Sequence, residues 1–232
     1  MSRHLAAEIA ALKTELLHLA TVVEKAVRNA VKALHEGDTA LAATVIEGDI
    51  EIDRTEVRFE EECLKVLALH QPVAGDLRFI VAILKINSDL ERVGDLAVHM
   101  SEKAVSLSRQ TATGIPEGFA AMAEKSQAMF ARSIGAFVSL DTDLARTISL
   151  GDDEVDDMNR TISRRIKAEM RVHPENLDAL MDVLSVSRNV ERIADHATNI
   201  AEDVVYLVEG EIVRHKEKDA KSPGGGPHPA SK

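Results

Sequence analysis

The sequence predicts an all-α protein built as two tandem, duplicated three-helix bundles. Three observations carry this. Apolar residues recur at intervals of three and four along most of the 232 residues, and no stretch alternates convincingly with period two. Aromatic residues make up 3% of the chain and Trp is absent, so Leu, Ile, Val and Ala must fill the core, which suits helix packing better than a β-sandwich. Finally, the chain says the same thing twice. Glu91-Arg92-Val93-Gly94-Asp95 returns as Glu191-Arg192-Ile193-Ala194-Asp195, and Ala97, Ser101 and Glu102 return as Ala197, Ala201 and Glu202.

The first helix carries Ile9, Leu12, Leu16, Leu19, Val23, Ala26 and Ala30 on one seam, and Gly37 fits the left-handed position that closes it. Asp38-Thr39 offers the N-cap of a second helix, which runs to about His70 because Pro72 stops it. Its apolar stripe is expected at Ile46, Ile50, Val57 and Leu64. A third helix spans residues 74–109, with Ile83, Ile86, Leu90, Val93, Ala97 and Met100 on its seam. Gln110 to Gly118 is the turn-rich break, and beyond it the order repeats. Asp141-Thr142 matches Asp38-Thr39, and Pro174 matches Pro72. The last helix carries Val183, Val186, Val190, Ile193, Ala197, Ile200, Val204 and Leu207. The expected organisation is a first bundle over 1–110, a second over 118–215 and a disordered Pro/Gly-rich tail over 216–232.

Charge and composition exclude several functions. A net charge of −11 argues against a nucleic-acid partner, which needs a basic footprint. It equally gives no support to phosphate binding by this chain. The single cysteine, Cys63, excludes an intramolecular disulfide and a Cys-based zinc site, and a half-buried, inert thiol is expected. No segment is long and apolar enough to span a membrane, and no signal-peptide core is present, so a cytoplasmic protein is expected.

Chemistry concentrates in acidic pairs. Glu91 and Asp95 lie one helical turn apart, off the apolar seam, and His99 and Glu102 continue their stripe. The second half reads Glu191, Asp195, Asn199 and Glu202. The second helix adds Asp49 and Asp53, matched by Asp152 and Asp156, although Asp153 and Asp157 fit the same spacing. Asp53 falls on the expected apolar stripe, where a carboxylate is costly unless paired or bound to metal. A solvated acidic face is the plain alternative, with Arg92 and Arg192 relieving the repulsion. Two such pairs on neighbouring helices would set four carboxylates around one spot, a donor set for Mg²⁺, Mn²⁺, Ca²⁺, iron or zinc.

The duplicated Glu-Arg-x-Gly/Ala-Asp-x-Ala helix resembles the PhoU family over residues 5–213, best at Asp76-Leu77-Arg78 through Glu102 and at Asp178 through Glu202. The resemblance implies multinuclear iron or zinc clusters on Asp49, Asp53, Glu91, Asp95, Asp152, Asp156, Glu191 and Asp195. The family often places Asn four residues after the motif Asp; Asn199 keeps it, whereas His99 replaces it, so His99 and Asn199 are expected to join the metal sites and the two sites to differ. It further implies a negative regulator of phosphate uptake and the phosphate-starvation response. Such a regulator touches the phosphate transporter's ATPase subunit and a sensor histidine kinase, and is favoured to be a homodimer. Two rivals stand beside it. A ferritin-like di-iron enzyme needs two Glu-x-x-His motifs, and only Glu15 to His18 is present. A metal-free helical scaffold predicts the same fold with empty acidic stripes. No P-loop, nucleophile elbow or HExxH occurs, so no enzyme is expected. His4, His35, His70, His173, His196 and His215 are assigned to helix ends and polar faces.

Overall fold

The computed structural model describes residues 3–110 and 114–211, and the tail expected to be disordered lies outside them. Six helices follow one another: α1 (Arg3–Glu36), α2 (Thr39–His70), α3 (Ala74–Ser108), α4 (Phe119–Ser139), α5 (Thr142–Val172) and α6 (Leu177–Glu209). A 3-10 turn, Pro174–Asn176, leads into α6. No strand occurs among the described residues.

The turns show why the helices end where they do. Gly37 takes a left-handed φ of 66°, and the Asp38 N–H donates back to Ala33 O at 3.0 Å, which closes α1 in a Schellman turn. The Asp38 carboxylate then accepts from the Leu41 N–H at 2.9 Å and caps α2. The duplicate repeats each bond: Asp141 N–H to Ala136 O at 3.1 Å, and Leu144 N–H to Asp141 at 2.8 Å. There the left-handed position holds Leu140, with φ 54°, where a β-carbon costs about 1–2 kcal/mol.

Helices α1, α2 and α3 pack on one another, as do α4, α5 and α6. The two trios then join chiefly through α3 against α6, with a lighter contact between α1 and α4, and their apolar side chains form one continuous core. The seams expected for α3 and α6 are buried throughout. On α1, Val27 is buried where Ala26 was expected.

α2 departs from expectation. Its buried face is Val45, Ile52, Phe59, Cys63 and Val66, whereas Ile50, Val57 and Leu64 are exposed. Two apolar stripes lie on this helix at helical spacing, and the one holding Phe59, the bulkiest side chain, faces α1 and α3. Asp53 therefore sits on an exposed face rather than among core residues. Cys63 is fully buried rather than half-buried, and desolvation first, then nearby Glu15, pushes its thiol up to about 12, so it is inert.

α3 and α6 run antiparallel, and a row of polar contacts lies along their interface. Lys85 Nζ donates to Asp203 Oδ1 at 3.1 Å, and Lys103 Nζ to Asp182 Oδ1 at 2.8 Å. Burial alone would raise the Asp182 carboxyl, but hydrogen bonds from Lys103 and Ser106 outweigh it and hold the group below its ordinary value. Between these contacts, His196 Nδ1 and Asp89 Oδ1 lie 2.8 Å apart, both side chains buried. His196 is thus a core residue and not a polar-face one. A sequence read one helix at a time does not show it, because its partner lies 107 positions away.

Candidate metal centre

The acidic pairs lie where α2 meets α3 and where α5 meets α6. At α2–α3, burial first, then the charges of Asp53 and Asp95, raises the Asp49 carboxyl, with His99 opposing. Asp49 Oδ1 is buried without a hydrogen-bond partner. Glu91 is raised too, by burial first and then by Asp95, Glu56 and Asp53, with Arg92 opposing. Four carboxylates from two helices thus feel one another, with His99 exposed at their edge.

Gly94 lets the helices close at this point. A β-carbon there would meet Ile52 Cγ2 at 3.3 Å and Asp49 Oδ1 at 3.8 Å. The residue between the motif Glu and Asp must therefore be small for the α2 carboxylates to approach α3.

The α5–α6 site has the same plan. Burial first, then Asp195, Asp156 and Asp152, pushes the Glu191 carboxyl up to about 6, with Arg192 opposing. Burial separates the two registers that spacing left open: Asp152 and Asp156 are half-buried on the side of α5 whose charge reaches Glu191 on α6. Asp153 and Asp157 are exposed, and Arg160 binds Asp157 Oδ1 at 2.6 Å. The Asn199 amide turns instead toward Asp89 Oδ1, 3.5 Å away, and joins the contact between bundles.

The titration of Glu191 gives a stability signature. Its folded value of about 6 exceeds the ordinary 4.5, so in that interval the folded state binds more protons than the unfolded one. The contribution of this group therefore makes the metal-free protein less stable as pH rises through the interval. Glu191→Gln should flatten that part of the stability profile in thermal unfolding at stepped pH. An unchanged slope would show that Glu191 is not strained.

Two residues of the first site escaped the sequence reading. Glu56 and Glu60 extend the row Asp49, Asp53 at helical spacing, and Glu56 is raised by burial first, then by Glu60 and Asp53. Asn87 Nδ2 donates to Glu56 Oε1 at 3.3 Å. The duplicate carries Asn159 and Ser163 at these places, and Ser187 Oγ donates to Asn159 Oδ1 at 2.7 Å. The spacing was legible, but only the fold shows that the row turns toward α3. The first site is consequently the more negative.

Among the described residues, no three His, Cys, Asp or Glu side chains converge on a single point that would hold an ion. The donor set, all carboxylate with one imidazole nearby, and the buried, unpartnered Asp49 Oδ1 fit a hard or borderline cation. The one Glu-x-x-His pair does not point into the bundle: His18 is exposed and Glu15 binds Arg58 at 2.9 Å. Among the described residues no helix is long and apolar enough to cross a membrane.

Comparison with known proteins agrees with this duplicated plan. The PhoU domain model matches residues 16–104 and again 119–204. A phosphate-specific transport system accessory protein PhoU homolog of Pseudomonas aeruginosa is 37% identical over 218 residues, covering 93% of this chain and 89% of that protein. The homolog of Aquifex aeolicus is 39% identical over 209 residues, covering 90% of this chain and 95% of its own. The crystal structure of PhoU from Pseudomonas aeruginosa superposes with a TM-score of 0.85 at 36% identity, covering 89% of this chain and 99% of that one. That of the phosphate transport system regulatory protein PhoU from Streptococcus pneumoniae gives 0.83 at 30% identity, covering 90% and 99%.

Proposed function

The chain belongs to the PhoU family, and from that premise we propose that it regulates phosphate transport as an accessory protein without a catalytic step of its own. The observation that carries this is the match of the family model to both halves, so that each helical trio retains its acidic pair. In this reading the protein couples the ATPase subunit of a phosphate transporter to a sensor histidine kinase and holds the starvation response off when phosphate is plentiful. Iron or zinc is held by Asp49, Asp53, Glu91 and Asp95 in one cluster and by Asp152, Asp156, Glu191 and Asp195 in the other, with Mg or Mn as weaker candidates. Bound cations would neutralise the two acidic stripes and tie α2 to α3 and α5 to α6.

The test is complementation. A bacterium lacking its own PhoU protein, carrying a phosphate-starvation reporter, should regain repression in phosphate-rich medium when this chain is expressed. A reporter that stays on despite soluble, folded protein would overturn the regulatory reading. Co-purification of the ATPase subunit and the kinase, each tested singly, then decides the two contacts.

A further inference from the structure

Independently of the phosphate reading, we propose that the outer face of α2 is a docking surface for a basic amphipathic helix of a partner protein. Ile50, Val57 and Leu64 are 56%, 53% and 52% exposed. They stand seven residues apart, just under two turns, so they form one slowly drifting apolar stripe along the helix. The internal repeat supplies the comparison: the matching positions of α5 are Asp153, Arg160 and Lys167. Folding therefore does not demand apolar residues here, since the same place in the same fold is charged in the other half.

Charge selects the occupant. On the α3 side the stripe is bordered by Asp49, Asp53, Glu56 and Glu60, with no basic residue among them. On the α1 side Arg54 and Arg58 lie between Glu51 and Glu61. Leaving aside Asp49 and Asp53, whose charge a bound cation would neutralise, residues 47 to 65 carry six carboxylates against three basic side chains. A second copy of the chain would bring the same surplus of negative charge. A helix with apolar residues at heptad spacing and Lys or Arg along one edge satisfies both the stripe and the acidic border.

The experiment uses the full chain, with its metal content held equal across samples by elemental analysis. A labelled helical peptide of about three heptads, with Leu on the seam and Lys on one edge, is titrated by fluorescence anisotropy beside a counterpart carrying Glu in place of each Lys. The Lys peptide should bind at least about tenfold more tightly than the Glu peptide. The triple variant Ile50→Ser, Val57→Ser, Leu64→Ser should lose about tenfold in affinity for it. The control Asp153→Ser, Arg160→Ser, Lys167→Ser on α5 should bind as the parent does. All three substituted positions of each variant are exposed, and unchanged circular dichroism melting confirms folding. Equal binding of the two peptides, or binding unaffected by the α2 variant, overturns the proposal. A dimer of the chain that the α2 variant abolishes overturns it in favour of a second copy.

Discussion

Alanine at both Asp95 and Asp195 is expected to strip the protein of iron or zinc, and either change alone to remove one share. Each Asp is the α3 or α6 half of a proposed metal site whose other half comes from α2 or α5. Its charge acts directly on the neighbouring Glu, raising Glu91 in one cluster and Glu191 in the other after burial has done so. Losing one carboxylate of four removes a strong donor from a site made almost wholly of carboxylates. Elemental analysis of protein purified without an affinity tag, in the parent, both single variants and the double variant, reads this out. The stability of the metal-free protein separates loss of ligands from loss of fold. Because Asp95 repels Glu91 and Asp49, the metal-free Asp95→Ala variant should melt no lower than the metal-free parent. Full metal content in the double variant would remove these residues from the ligand set. Metal lost together with a collapsed melting temperature would point to damage to the fold instead.

Asp89→Ala should cost about 1–3 kcal/mol, the penalty for leaving the buried His196 ring without its partner. His196→Ala should cost a similar amount for the converse reason. The double variant should cost clearly less than both singles together, with a coupling of about 0.5–3 kcal/mol, because neither orphan then remains. Urea unfolding of the four proteins measures this cycle. Simple additivity would show that the 2.8 Å contact does not join α3 to α6 energetically. The outcome matters for assembly: this pair lies, with Lys85–Asp203 and Lys103–Asp182, in the polar row along the α3–α6 contact that joins the two trios.

Much of the fold was legible in the chain because helix formation is local. The seams of α3 and α6, the caps at Asp38 and Asp141 and the stops near Pro72 and Pro174 each depend on residues within a turn or two. The internal repeat then fixed the correspondence between halves, including the acidic pairs. The errors fell where two local patterns competed. On α2, both the stripe of Ile50, Val57 and Leu64 and the stripe of Val45, Ile52 and Phe59 have helical spacing. Only the neighbours α1 and α3 choose between them, and they take Phe59.

The sequence by itself determined six helices in two copies of one plan and the carboxylates that mark each copy. Only the tertiary structure decided which carboxylates meet. It turned Asp152 and Asp156, not Asp153 and Asp157, toward Glu191, added Glu56 to the first site, and drew Asn199 away toward Asp89. Periodicity specifies which side of a helix a residue occupies. What lies opposite is set by packing between helices far apart in the chain, and there burial and charge do the choosing.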